Sequence, residues 1–131
     1  MSRTRKKILI VDDEESVRLI VKRFLEDLDQ YTLVTASDGA EALAIASREH
    51  PDLILLDIDM PKMNGLEALR KLKEETATLQ IPIIMLTALD DEEIMEEAIS
   101  GYAEQYLTKP LDMDDLKIAV SRTLSWAFAN R

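Results

Sequence analysis

The sequence has no cysteine, which excludes a disulfide framework and thiolate chemistry together. It has no run of about 18 apolar residues, so no membrane span is indicated. Its basic start, "MSRTRKK", leads into an ordinary strand and then acids, with no small-residue cleavage site of the kind a signal peptide carries. Solenoid-period repeats, low-complexity tracts and linkers are absent too. These absences fit a cytoplasmic protein. Positive charge is also scarce: 16 Lys and Arg stand against 26 Asp and Glu, a formal net charge of −10. Phosphate contacts need a basic face, so this domain alone is not expected to bind nucleic acid. Arg3, Arg5, Lys6 and Lys7 read as a solvated tail.

What is present is enough for one core. The chain has 131 residues, 47% of them hydrophobic, which is the size of one domain. Apolar runs and helical patterns alternate along it. "KILIV" (Lys7 to Val11) is a short apolar strand. Val17, Ile20, Val21, Phe24, Leu25 and Leu28 then share one helical face. "YTLVTA" (Tyr31 to Ala36) is β-branched and strand-like. Asp38 and Glu41 read as an N-cap and its capping-box partner, opening the helix "GAEALAIASRE".

"DLILL" is a strand buried on both faces. Leu66, Leu69 and Leu72 mark a short helix after Asn64-Gly65. "PIIML" (Pro82 to Leu86) and "QYLT" are further strands, with the acidic helix "DEEIMEEAIS" between them. Asp112 and Asp115 open a last helix that runs to about Ala129 and buries Leu116, Val120, Thr123, Leu124 and Ala127. Trp126 falls off that stripe. Five strands alternating with five helices predict an α/β fold, a parallel sheet with helices on both faces. The flavodoxin-like strand order 2-1-3-4-5 is the common choice for five such units.

That order would set strands one and three side by side, at a topological switch point. The first strand runs into Asp12 and Asp13, and the third, within "LILLDIDMPKMNG", into Asp57. A carboxylate at the end of a buried strand is either solvated or neutralised, because an unpaired buried charge is expensive. Three converging carboxylates repel one another, and a divalent cation removes the conflict. An all-oxygen cluster with no His or Cys near it favours Mg²⁺ over Zn²⁺. Mg²⁺ is commonly shared with a phosphate, and two more strand ends suit one. Thr87 has a hydroxyl to donate and Lys109 an ammonium to neutralise charge. An aspartate nucleophile, a metal, a hydroxyl and an ammonium together make a phosphoryl-transfer site.

With "ILIVDDEE", "DLILLDIDMPKMNG", "PIIMLTA" and "YLTKP" in this order and spacing, the chain resembles a two-component response regulator receiver domain of the single-domain, chemotaxis-regulator type. The resemblance runs from about Lys6 to Leu124. It implies one receiver domain over residues 1–131, with a core of about 6–129. It implies that Asp57 is phosphorylated by a histidine kinase or phosphotransfer protein. It further implies that Asp13 binds Mg²⁺ directly with Asp57, that Asp12 assists largely through water, and that the Asp59 backbone carbonyl is another ligand. Thr87 and Lys109 would contact the phosphoryl group, Tyr106 would be the switch aromatic, and the Lys109–Pro110 peptide would be cis. Asp59 and Leu89 occupy the positions that set how fast the phosphoryl group is lost.

The implied output is a phosphorylation-dependent protein-binding surface for a downstream protein target. The implied form is a monomer or a weak dimer on phosphorylation, without membrane contact and without turnover of a substrate. The chain stops soon after its last helix, so it either acts alone or is part of something longer. One departure from the family stands in "SGYAEQYLTKP", where Tyr102 takes the place of a usual glycine and Gly101 sits one residue early. A rival reading starts from "DIDM", which is similar to the Asp-x-Asp signature of haloacid-dehalogenase-type phosphatases and would make the protein a turnover enzyme. It leaves Asp12 and Asp13 without a role, and that motif normally ends the first strand of its sheet.

Overall fold

The computed structural model describes residues 5–60, 63–87, 96 and 103–129. Its strands are β1 (Lys6–Val11), β2 (Tyr31–Ala36), β3 (Leu53–Asp57), β4 (Ile83–Thr87) and β5 (Gln105–Thr108). They form one sheet in the order β2-β1-β3-β4-β5, every neighbouring pair parallel. The described helices are α1 (Glu15–Asp27), α2 (Gly39–Glu49), α3 (Gly65–Glu74) and α4 (Met113–Ala129). Except for Glu96, the acidic helix expected at 91–100 lies outside the described residues, as do Gly101 and Tyr102.

Side chains alternate across a strand, so each apolar strand feeds two cores. Leu9, Val11, Ile54, Leu56, Ile83 and Met85 face one side and meet Ala42 and Ala46 of α2 and Ala68, Leu69 and Leu72 of α3. Ile8, Ile10, Leu53, Leu55, Ile84 and Leu86 face the other and meet α1 and α4. Burial on both faces explains why β3 and β4 read as unbroken apolar runs rather than as alternations.

Helix starts follow the capping residues, with one difference. The Asp38 carboxylate accepts from the Glu41 N–H at 2.8 Å, Asn64 does the same for Glu67 at 3.0 Å, and Asp112 for Asp115 at 3.0 Å. Glu41 does not close a capping box: its carboxylate accepts from the Ser37 hydroxyl at 3.0 Å. A second correction concerns α1. Its buried residues are Val21 and Leu25, with Val17, Phe24 and Leu28 packed at the edge, but Ile20 is 58% exposed, as is Leu19. The apolar arc of the sequence is wider than the strip of helix that the sheet covers. In α4 the expected stripe is buried and Trp126 is exposed. His50 ends α2 in a left-handed conformation, φ 48°.

Candidate functional site

The sheet's backbone ladder continues one residue past several strands. The Asp12 N–H donates to the Ala36 carbonyl at 3.2 Å, Ile58 N–H to Leu86 at 2.9 Å, and Lys109 N–H to Thr87 at 2.7 Å. Residues at and just past the strands' carboxyl ends are therefore held by the sheet, not by loops. The strand order then brings them together. Asp12 is fully buried, Asp57 is 2% exposed and Thr87 is 1% exposed. Asp13 stands at the surface. One carboxylate oxygen from each of Asp12, Asp13 and Asp57 lies within 4.8 Å of the others.

Lys109 bridges the two buried acids. Its ammonium donates to Asp12 Oδ2 at 2.6 Å and stands 3.4 Å from Asp57 Oδ1. The other Asp12 oxygen accepts from the Glu14 N–H at 2.9 Å, and Asp57 Oδ1 accepts from the Asp59 N–H at 3.3 Å. Asp57 is the less well served of the pair. Burial, and then the charge of Asp12, push its pKa up to about 7, against the weaker opposing pull of Lys109 and the Asp59 N–H. For Lys109, burial alone would lower the pKa, but the hydrogen bond to Asp12 and the charges of Asp57 and Asp12 together raise it.

These acids fit a hard divalent cation. The donor set is all carboxylate, its oxygens are spaced closely enough to share one ion, and Asp57 carries a negative charge that its protein neighbours do not fully offset. Of the other residues singled out in the sequence, Asp59 is exposed beside Asp57 and Tyr106 on β5 is 36% exposed. Leu89 lies outside the described residues. The Lys109–Pro110 peptide is cis.

Gly65 is a positioning element that residue typing missed, since Asn64-Gly65 reads simply as a turn. The Gly65 N–H donates to the Ile58 carbonyl at 2.8 Å. A Cβ on Gly65 would stand 2.2 Å from the Asp57 carbonyl oxygen and 2.6 Å from Ile58 Cα. The start of α3 is thus pressed against the backbone of the candidate nucleophile, and both obstructing atoms are backbone. Gly65→Ala is expected to destabilise the fold by about 2 to 3 kcal/mol, the upper range for overpacking. Urea unfolding checks this, and an unchanged midpoint would mean that the strand end yields without cost.

A family model described as the response regulator receiver domain matches residues 8–121. The alkaline phosphatase synthesis transcriptional regulatory protein PhoP of Bacillus subtilis is 42% identical over 119 residues, covering 91% of this chain and 48% of that protein. The response regulator PleD of Caulobacter vibrioides is also 42% identical, over 91% of this chain and 26% of its own. The chain thus spans about half the length of PhoP, and less of PleD. Among solved structures, the chemotaxis response regulator CheY4 of Vibrio cholerae superposes with a TM-score of 0.85 at 35% identity, over 92% of this chain and 99% of its own. A CheY-like receiver domain protein of Methanospirillum hungatei gives 0.90 at 29% identity, over 98% of this chain and all of its own.

Proposed function

The chain belongs to the response regulator receiver domain family of two-component systems, and on that premise we propose that it is a phosphoacceptor switch whose nucleophile is Asp57. Receiver domains are regulatory rather than turnover enzymes. The observation that carries the assignment is the buried Asp57 carboxylate at the end of β3, 3.4 Å from the Lys109 ammonium and grouped with Asp12 and Asp13.

In this reading an Asp57 carboxylate oxygen attacks the phosphorus of the donor, and the bond from phosphorus to the donor's leaving atom breaks. Asp12, Asp13, Asp57 and the Asp59 carbonyl would hold Mg²⁺, which would supply positive charge for the phosphoryl oxygens. Lys109, already raised in pKa, keeps its proton and neutralises further charge on the acylphosphate. The Thr87 hydroxyl donates to a phosphoryl oxygen. Catalysis is therefore positioning and electrostatics by groups fixed to strand ends. Displacement of Thr87 toward the phosphoryl group, with Tyr106 following, changes the surface beside β5, and the output is a shift between two populations.

The donor is a histidine kinase or phosphotransfer protein, and the reader is a downstream protein. Residues 1–131 make a single receiver domain with its core at 6–129, working in the cytoplasm as a monomer or weak phosphorylation-dependent dimer. No described helix is long and apolar enough to cross a membrane. Nothing favours the haloacid-dehalogenase alternative, whose Asp-x-Asp motif normally ends the first strand of its sheet, whereas Asp57 ends β3. The test is incubation with acetyl phosphate. A stoichiometric, Mg²⁺-dependent phosphoprotein supports the reading, and steady hydrolysis of small phosphate esters overturns it.

Asp59 tunes the lifetime. Its N–H reaches Asp57 Oδ1, so its exposed carboxylate stands near the path of a hydrolytic water. Negative charge gathers on the phosphoryl oxygens during hydrolysis, and another carboxylate opposes it. At about 6 Å and an effective dielectric near 40, one such repulsion is worth roughly 1.4 kcal/mol, or about tenfold in rate if expressed wholly in the transition state. Asp59→Asn is expected to lose its phosphoryl group several-fold faster than the parent. Decay of the labelled phosphoprotein in excess Mg²⁺ checks this, and an equal or slower decay would mean that Asp59 orients the water instead.

A further inference from the structure

Asp13 stands apart from its neighbours in the acid cluster. Asp12 is anchored at four atoms: its N–H by Ala36, its carboxylate oxygens by the Glu14 N–H and the Lys109 ammonium, and its carbonyl by Arg18. Asp57 is held in β3 and by Lys109 and the Asp59 N–H. The exposed Asp13 side chain has no hydrogen-bond partner among the described residues, so its direction is inherited from the backbone on either side. The backbone on its amino side is the Asp12–Asp13 peptide.

The carbonyl of that peptide accepts a hydrogen bond from Arg18 Nη1 at 2.7 Å. Arg18 is half-buried in the first turns of α1, and its own N–H donates to the Glu14 carbonyl at 3.2 Å. The guanidinium therefore ties the helix back to the loop that precedes it. A peptide unit is planar, so holding the Asp12 oxygen also fixes the plane that carries the Asp13 nitrogen and Cα. Arg18 is the one described side chain bonded to this peptide group.

We propose that Arg18 is a positioning residue for the metal site: through the Asp12 carbonyl it sets the direction from which the Asp13 carboxylate meets a divalent cation. This rests on the Mg²⁺ reading of the acid cluster. Arg18 touches neither the ion nor the phosphoryl group. Its charge and its hydrogen bond make opposite demands, and that separates the two roles. As a cation near the cluster it repels Mg²⁺, so a purely electrostatic Arg18 predicts tighter Mg²⁺ binding once it is removed. As a positioning donor it predicts weaker binding.

The experiment is calorimetric titration of the unphosphorylated protein with MgCl₂, at a temperature where all variants are folded, together with thermal melts in EDTA. Arg18→Ala is expected to lose about tenfold in Mg²⁺ affinity, the low end for outer-sphere partners of metal ligands. Arg18→Lys keeps the charge and a donor and is expected to recover part of that loss. If Arg18→Ala melts lower but binds Mg²⁺ as the parent does, the bond is only a helix anchor and the proposal falls. Tighter binding in Arg18→Ala overturns it in favour of charge. Failure of the parent itself to bind Mg²⁺ is a separate result that removes the underlying reading of the acid cluster, and the inference with it.

Discussion

Asp57→Asn is expected to take up no phosphoryl group from acetyl phosphate, in an experiment where the parent is expected to acquire one per chain. The substitution removes the attacking group and little else. The amide has the same shape, can still accept from Lys109 and the Asp59 N–H through its oxygen, and needs no repacking in a site that is 2% exposed. What it lacks is an anionic oxygen able to form the acyl phosphate bond. Loss of a covalent nucleophile costs on the order of a thousandfold or more in rate, which over an ordinary labelling time is no product. Intact-mass measurement with Mg²⁺ present reads the outcome directly. A full adduct on the variant would place the acceptor elsewhere and leave the Asp12–Lys109–Asp57 geometry without its proposed purpose.

The residues that could be placed from sequence share one property: each sits at the end of an apolar run. Buried parallel strands read as such, so Asp57, Thr87 and the Asp12–Asp13 pair could be set at strand ends, and the strand order made them neighbours. Lys109 followed β5 in the same way. What could not be read are contacts made to backbone. The press of Gly65 on the Asp57 carbonyl and the bond from Arg18 to the Asp12 carbonyl leave no mark in residue type at the accepting end. A glycine in a turn and an arginine on a helix look the same with or without them. Ile20 shows a different limit. Helical periodicity marks which residues share a face, but how much of that face the sheet covers depends on where α1 lies. Glu41 shows a third, since Ser37 competes for the carboxylate that a capping box would use.

The same arrangement makes the site costly without metal. Asp12 and Asp57 are both buried, and the single bridging ammonium lies nearer Asp12, at 2.6 Å against 3.4 Å. The mounting that fixes the proposed nucleophile thus also stores repulsion, because strands paired past their ends give Asp57 little room to move toward water. Binding of a cation or removal of the Asp57 charge relieves the same strain, and the two should be interchangeable in a stability measurement.

In EDTA, the parent protein is expected to lose stability between pH 4.5 and 8, and Asp57→Asn to lose less. Asp57 holds its proton more tightly in the folded protein, where its pKa is about 7, than in the unfolded chain, at 3.8. Its favourable contribution is therefore full below the unfolded value and is lost as pH rises toward the folded one. Such a shift bounds the loss at about 4 kcal/mol. Lys109, whose pKa is raised, keeps its charge throughout this window and contributes no slope there. Half the bound, about 2 kcal/mol, is a reasonable expectation once local relaxation is allowed, and corresponds to a melting shift of roughly 5 to 8 °C for a domain of this size. The stability gained by Asp57→Asn over the parent should thus be small at pH 4.5 and near that value at pH 8. Mg²⁺ at pH 8 should raise the parent's melting temperature more than the variant's, because the variant has already lost the charge that the ion offsets. Thermal melts across this pH range, with EDTA and then with Mg²⁺, measure both differences. A gain from Asp57→Asn that does not change with pH would show that Asp57 is already well neutralised by Lys109, and that its burial beside Asp12 carries no repulsion for a metal to relieve.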